Sequence, residues 1–204
     1  MRYVVLVLAL ALLTGCGGDS EPQAQGCDVM ITDESRAKDL DLQPLGPGDY
    51  AIEFQTSHGN FTVDVDETLS PCNGRSMLQL AKDGFFDGVV FHRIVPDFVI
   101  QAGQSGKTPD GGPGYTTIDT PAADTTYPKG LVAMAKTEAD PPGTGSSQFF
   151  VVTGPDVMLP PDYAPIGKVV EGMAVVDKIG KLGDPNTQAP TERIVIKRAA
   201  ASGI

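Results

Sequence analysis

The sequence lacks the residues that several common chemistries require. It contains no tryptophan, two histidines and three cysteines among 204 residues. No Cys/His spacing resembles that of a zinc site, so we expect no metal centre. No Gly-x-Ser-x-Gly motif occurs, and His92 lies within an apolar run, so a Ser-His-Asp hydrolase is not indicated. Nothing in the sequence suggests catalysis by paired carboxylates either.

Positive charge is also scarce. The chain has 15 Lys and Arg against 26 Asp and Glu, which gives a formal net charge of -11 at pH 7. Such a surface cannot neutralise a phosphate backbone, so nucleic acid is not an expected partner. The acids are not gathered into one long block, which indicates a soluble acidic surface, and we expect a monomer.

The sequence has no hydrophobic run long enough to span a bilayer. The apolar stretch 4–13 has ten residues, follows Arg2 and ends in Leu13-Thr14-Gly15-Cys16, which resembles a bacterial lipobox. This pattern predicts a signal peptide at residues 1–15 and acylation of Cys16, with palmitate-type chains anchoring the protein. The protein would then be exported and anchored either to the outer face of the cytoplasmic membrane or, in the periplasm, to the outer membrane. The alternative is an ordinary secretory signal with an incidental cysteine, and either alternative exports the protein.

Residues 16–48 carry seven acids, two basic residues and few apolar ones. Such a segment can bury little surface, so we predict a lipidated, acidic and mostly flexible tether. If Cys16 carries lipid, Cys27 and Cys72 remain as a pair in an oxidising compartment. They either form a disulfide, which would pin the tether to the domain, or remain as two free thiols.

Residues 49–204 read as one mainly β domain. The content of 24 glycines and 17 prolines favours short strands and loops. Alternating or continuous apolar runs predict strands at 51–56, 61–65, 131–135, 147–153, 166–170 and 192–197, with two more around the Pro96-Asp97 turn inside 91–103. Helices are predicted from Ser70, as N-cap, to Gly84 and over about 172–182, with long loops at 104–129 and 136–146. Without a βαβ rhythm, this order favours a closed antiparallel barrel capped by two helices.

Residues 103–108 resemble the end of a phosphate-binding loop. That motif needs a glycine where Gln101 stands and a helix after Thr108. Residues 109–114 are rich in glycine and proline and cannot supply that helix, so we do not expect nucleotide binding.

Several motifs, in order and spacing, carry a resemblance to a known family. They are Phe91-His92-Arg93-Ile94-Val95-Pro96, Phe98, Gln101, Gly111-Gly112-Pro113-Gly114-Tyr115, Met134-Ala135, Ser147-Gln148-Phe149-Phe150 and Ile166-Gly167-Lys168-Val169. From about Tyr50 to Ala199 the chain resembles the cyclophilin family of peptidyl-prolyl isomerases. The resemblance implies a closed eight-stranded antiparallel barrel with an α-helix over each end.

The resemblance also implies a site. Arg93 matches the catalytic arginine, Gln101 the glutamine that supports it, and Phe98 and Phe150 the aromatic floor of the proline pocket. Further substrate-binding positions match Val99, Ala135, Lys136, Gln148, Met158, Leu159 and Tyr163. The family more commonly has methionine at 99, asparagine at 136, tryptophan at 158 and histidine at 163. We therefore expect activity that is retained but reduced, and weak binding of cyclosporin-like macrocycles.

Such a site needs no cofactor, nucleophile or proton transfer. A guanidinium stays charged and can donate to the prolyl nitrogen as the amide twists, which weakens the partial double bond. The leading hypothesis is an isomerase acting on proline-containing segments of exported proteins during folding. The alternative is a cyclophilin-like binding module or holdase chaperone that grips such segments with little turnover.

Overall fold

The computed structural model describes residues 26–108, 111–155 and 157–204. The predicted signal peptide and Cys16 lie outside these ranges. Within them the chain forms these elements in order: β1 (Val29–Ile31), α1 (Glu34–Ala37), β2 (Tyr50–Thr56), β3 (Gly59–Val65), α2 (Pro71–Lys82), β4 (Arg93–Val95), β5 (Val99–Ala102), β6 (Tyr115–Ile118), β7 (Leu131–Met134), β8 (Thr144–Gly145), β9 (Phe149–Val152), β10 (Pro165–Glu171), α3 (Met173–Gly180) and β11 (Ile196–Ser202).

Eight strands form one antiparallel sheet in the order β11-β2-β3-β10-β7-β9-β5-β4. An isolated bridge between Val90 and Val195 joins the segments that precede β4 and β11, so the two edges of the sheet meet. The predicted mainly β, eight-stranded architecture is confirmed.

The core follows from the alternation in β2 and β3. Every second side chain of β2 is buried, and the inward residues of β3 pack against them. The Phe54 ring lies 5.1 Å from both Phe61 and Phe149, centroid to centroid. Phe86 packs edge-on to Phe149 at 5.8 Å, so four phenylalanines fill the centre of the barrel.

Helix α2 begins and ends where the sequence predicts, but its N-terminus is satisfied differently. Ser70 is the N-cap residue, yet its buried hydroxyl makes no hydrogen bond within the described ranges. The Asp119 carboxylate instead accepts from the backbone N–H groups of Cys72 and Asn73, at 3.3 and 2.7 Å. A carboxylate from a loop distant in sequence therefore caps the helix N-terminus in place of the Ser70 hydroxyl.

The segment 26–48 contains more structure than its composition predicts. β1 pairs with β6, and β6 pairs with β8, so a second, three-stranded sheet includes the N-terminal segment. A disulfide joins Cys27 to Cys72, with 5.4 Å between the Cα atoms. These contacts lie far apart in the sequence, so local hydrophobicity does not reveal them.

Arg36 fastens α1 to the loop before β6. Its Nη1 donates to the carbonyl oxygen of Gly112 at 2.7 Å, and its Nε pairs with Asp33 at 2.9 Å. Gly114 has φ +92°, and a Cβ there would lie 2.8 Å from the Arg36 Cβ. Only glycine lets the two segments approach this closely.

Three predicted boundaries are wrong, and one of them is the loop predicted at 136–146, which contains β8. The loop predicted at 104–129 contains β6, and the closing strand predicted at 192–197 begins at Ile196 and extends to Ser202. The end of β11 is rich in alanine, a weak strand former, but pairs in register with β2 from Ala199 to Ser202. Tertiary pairing overrides intrinsic propensity here. No helix in the described ranges is both long and apolar enough to cross a membrane.

Candidate active site

A cavity of about 340 Å³ opens on the outer side of the β4-β5-β9-β7 part of the sheet. Its lining is Arg93, Phe98, Val99, Gln101, Ala135, Lys136, Phe150, Leu159 and Tyr163. All nine are site residues predicted from the sequence, and the fold brings them together from strands and loops that are distant in the chain.

Strand register explains how the three central side chains meet. β4 and β5 form a hairpin around the Pro96-Asp97 turn, and this hairpin places Arg93 opposite Gln101. β5 in turn pairs with β9, which places Gln101 opposite Phe150. Directly paired residues lie on the same face of a sheet, so the guanidinium, the amide and the ring form one row.

A chain of hydrogen bonds fixes the polar end of the row. Arg93 donates from Nε to Gln188 Oε1 at 2.7 Å and from Nη1 to Gln101 Oε1 at 3.2 Å. Gln101 Nε2 then donates to Gln148 Oε1 at 3.0 Å. The bonds from Arg93 to Gln188 and Gln101 use two of the five N–H donors of the guanidinium. The guanidinium is thus oriented while its remaining donors can face a bound molecule.

Sequence reasoning did not identify Gln188. This residue follows the Asp184-Pro185-Asn186-Thr187 turn and has φ 60°, and its backbone carbonyl accepts from Ile94 N at 2.9 Å. The turn residues predict a loop, but no local pattern indicates that its last side chain reaches an arginine 95 residues away.

The floor of the cavity is apolar. Val99 is 2% exposed and Phe150 4%, and Phe98 is half-buried beside them. The Phe150 ring meets Tyr163 edge-on at 5.5 Å. Burial of such rings excludes water and strengthens hydrogen bonds made at the rim.

Tyr127 supports this floor from behind and is a second residue that sequence reasoning missed. Its side chain is 1% exposed, and its ring lies 6.5 Å from Phe150. Its hydroxyl donates to the carbonyl of Tyr163 at 2.8 Å and accepts from Tyr163 N at 3.1 Å. Burial raises the pKa of the Tyr127 phenol, which keeps it neutral.

Lys136 forms one rim of the cavity. Its Nζ donates to the carbonyls of Thr137 and Asp140 at 3.2 and 3.1 Å. The same Nζ lies 5.7 Å from the centroid of the Tyr163 ring. The backbone N–H of Ala135 donates to the carbonyl of Gln148 at 2.8 Å, so this wall is tied to the next segment.

Two predicted site residues are placed differently from the prediction. Met158 is 91% exposed and does not line the cavity, because the chain turns Val157 and Leu159 inward and leaves the residue between them in solvent. Gln148 lies behind Gln101 as its hydrogen-bond acceptor instead of in the lining.

His92 lies next to Arg93, but it is a half-buried residue outside the cavity lining. Burial lowers the pKa of its imidazole, and the adjacent Arg93 charge lowers it further. The neutral ring that this favours agrees with a structural role, and its buried Nδ1 has no hydrogen-bond partner among the residues that the structure describes.

Comparison with known proteins agrees with this geometry. Residues 51–201 match the family model "Cyclophilin type peptidyl-prolyl cis-trans isomerase/CLD". Peptidyl-prolyl cis-trans isomerase ppi1 of Schizosaccharomyces pombe is 34% identical over 154 residues, which cover 74% of this chain and 97% of that protein. Probable peptidyl-prolyl cis-trans isomerase B of Mycobacterium tuberculosis is 33% identical over 156 residues, which cover 69% of this chain and 49% of that protein.

The fold has a close counterpart among solved structures. A cyclophilin-type peptidyl-prolyl cis-trans isomerase of Cryptosporidium parvum superposes with a TM-score of 0.66 at 22% identity, covering 76% of this chain and 98% of its own. At that identity the superposition shows only that the fold is the same. Membership of the family is shown by the family model and by the relatives above 30% identity. The chain belongs to the cyclophilin-type peptidyl-prolyl cis-trans isomerase family.

Proposed function

We propose that this chain accelerates cis–trans isomerisation of X-Pro bonds in exported proteins as they fold, with Arg93 stabilising the twisted amide without covalent chemistry. The observation that carries the proposal is the oriented guanidinium at the edge of an apolar floor. Two amide oxygens hold Arg93, and Phe98, Val99 and Phe150 form a surface on which a proline ring can pack.

The chemistry needs little more than this arrangement. Rotation about an X-Pro bond is opposed by a barrier of roughly 18–20 kcal/mol, because the nitrogen shares its lone pair with the carbonyl. As the bond twists, the nitrogen pyramidalises and becomes a hydrogen-bond acceptor. A guanidinium N–H directed at that nitrogen interacts more strongly with the twisted state than with the planar one. That difference lowers the barrier.

The apolar floor contributes to the same selectivity. It seats the ring of the proline and removes water from the guanidinium, so that the hydrogen bond forms in a medium of low polarity. Gln101 bridges Arg93 and Gln148, which keeps the donor from turning away between catalytic cycles.

Isomerisation can be tested on the full chain with a proline-containing peptide whose cis and trans forms are resolved by NMR exchange spectroscopy. Arg93→Ala should lower kcat/KM by about 100-fold or more, since a preorganised donor to the transition state is removed. Arg198→Ala removes an exposed arginine on β11 and serves as the matched control. Equal rates for wild type and Arg93→Ala would contradict the catalytic role.

The alternative, a binding module or holdase with little turnover, has its own supporting observation. Lys136 and Tyr163 depart from the commoner family residues at the rim, and Met158 is turned into solvent. A holdase would suppress aggregation of an unfolding protein equally well as wild type and as Arg93→Ala. An isomerase would instead shorten a proline-limited refolding phase only with Arg93 intact.

Export and lipid anchoring complete the proposal. The apolar run, the lipobox-like sequence ending in Cys16 and the Cys27–Cys72 disulfide all fit a protein outside the cytoplasm, where disulfides persist. Cys16→Ser should move the protein from the membrane to the soluble fraction on cell fractionation. Retention of the variant in the membrane fraction would rule out the lipid anchor.

A further inference from the structure

The charge of the cavity is opposite to that of the molecule. The chain carries a formal net charge of -11. The nine residues that line the cavity nevertheless include two cations, Arg93 and Lys136, and no aspartate or glutamate. A locally cationic cavity on an acidic protein indicates selection of a negatively charged group at that position.

Lys136 is the cation whose charge the isomerisation chemistry does not use. Its ammonium has three donors, of which two go to the carbonyls of Thr137 and Asp140. In the described part of the chain it forms no ion pair, although Asp140 is close in sequence. Oδ2 of Asp140 accepts instead from the N–H and the hydroxyl of Thr137, at 2.9 and 2.8 Å, which orients this carboxylate towards Thr137.

The ammonium is also held in place. Two carbonyls restrain Nζ, and the Tyr163 ring, 5.7 Å from it, attracts the cation towards the rim of the cavity. The cost of ordering a long lysine side chain is therefore met before any ligand arrives. A carboxylate that approaches the rim can accept the third N–H without displacing a protein partner.

We infer that Lys136 makes this site prefer proline segments that carry a glutamate or aspartate directly beside the proline. The inference rests on the proposed function, because the same cavity must accept the proline. A single carboxylate in an otherwise neutral or basic segment fits best, since the overall negative charge repels a run of acids. Lys136 is thus a specificity-determining residue of the site.

The test compares peptides that differ only in charge beside the proline: Glu-Pro against Gln-Pro, and Pro-Glu against Pro-Gln, in the same tetrapeptide frame. Both kcat/KM, from NMR exchange, and Kd, from chemical-shift titration, are measured for the full chain. For wild type we expect one glutamate peptide to exceed its glutamine partner about 3- to 10-fold, as for a partly exposed ion pair. The preference should shrink at high salt.

Variants assign the preference to Lys136. Lys136→Met keeps an unbranched stem of similar length without the charge, and the glutamate-to-glutamine ratio should fall to about one. Lys136→Arg should retain the preference. Lys168→Met removes an exposed lysine of β10, so it changes the net charge equally and should keep the wild-type ratio.

The possible failures are distinct. Turnover with a ratio near one in wild type, or a ratio unchanged in Lys136→Met, would overturn the inference and leave the isomerase proposal standing. Tighter binding of the glutamate peptide without turnover would support the inference and overturn the isomerase proposal. Absence of both binding and turnover would overturn both.

Discussion

At the scale of single residues, the guanidinium of Arg93 is held by two glutamines from separate segments of the chain. Gln101 lies across the β4–β5 hairpin, and Gln188 reaches in from the turn after α3. The bond to Gln188 is the shorter of the two, at 2.7 against 3.2 Å. We therefore regard Gln188 as a positioning residue that acts through Arg93.

Gln188→Met removes the acceptor and keeps the length of the side chain, so it should lower kcat about tenfold, equivalent to ~1.4 kcal/mol of barrier. KM should change little, because the apolar floor is untouched. Gln188→Glu restores an oxygen acceptor and should recover most of the rate. A loss shared equally by both variants would indicate a merely structural role for the turn.

His92 predicts a pH dependence of stability. The folded state lowers the pKa of this imidazole below the ordinary value of 6.5, chiefly through burial. Folding therefore favours the neutral ring, and this contribution is fully present above pH 6.5 and is lost as pH falls towards the folded-state pKa. The free energy of unfolding should decrease on acidification from pH 7.5 to 5.5.

Urea denaturation of wild type and His92→Gln at both pH values isolates this contribution, because all other titratable groups are shared. The decrease on acidification should be smaller for His92→Gln. A decrease of the same size in both proteins would show that His92 is not its source.

At the scale of elements, the N-terminus of α2 depends on a residue that is distant in sequence. Asp119 accepts from two backbone N–H groups of the first turn and also from Asn73 Nδ2, at 2.9 Å. This cap links α2 to the segment that follows β6, and so connects the helix to the second sheet.

Asp119→Ala should lower the free energy of unfolding by about 2–3 kcal/mol, the range for losing charge-assisted hydrogen bonds at a helix N-terminus. Asp119→Asn keeps one acceptor oxygen and should cost less. Asp124→Ala, at an exposed acid on the same connection, is the control. Urea titration of the three variants measures the difference, and equal stability of Asp119→Ala and Asp124→Ala would contradict the cap.

The elements that sequence reasoning predicted well are those with a local signal. The alternation in β2 and β3 and the Ser70-Pro71 start of α2 are properties of adjacent residues. β1, β6 and β8 are two to four residues long and are ordered by tertiary contacts with one another and with α2. No window of sequence contains more than one of them.

The residues of the site likewise fall into those that the sequence predicts and those that only the tertiary structure reveals. Five of its nine lining residues, Arg93, Phe98, Gln101, Ala135 and Phe150, lie in motifs that carry the family resemblance, and the other four were assigned by correspondence of position. Gln188 and Tyr127 lie in segments that read as loops, and their contacts with Arg93 and Tyr163 arise from tertiary packing alone. Met158 was placed in the pocket by correspondence of position, which does not fix the direction of a side chain.

At the scale of the whole molecule, the Cys27–Cys72 disulfide closes a loop of 45 residues. Constraint of the unfolded chain by such a loop contributes about 3–4 kcal/mol in the loop-entropy model. Cys27→Ser should therefore unfold at lower urea concentration than wild type. Dithiothreitol should lower the midpoint of wild type towards that of the variant and leave the variant unchanged, and a wild-type midpoint insensitive to reductant would contradict a stabilising bridge.

The same disulfide limits the maximum distance between the site and a membrane to which the chain is anchored. If Cys16 carries the proposed lipid, eleven residue steps separate it from Cys27, which is covalently fixed to the start of α2. A fully extended chain of that length spans at most about 40 Å. Without the bridge, and with β1 and α1 detached, the segment between the anchor and the domain would comprise residues 16–48. This segment would span about 115 Å at full extension. With the disulfide intact, a lipid anchor at Cys16 would keep the domain within that shorter distance of the membrane surface, and reduction would extend the distance nearly threefold only if β1 and α1 were also released.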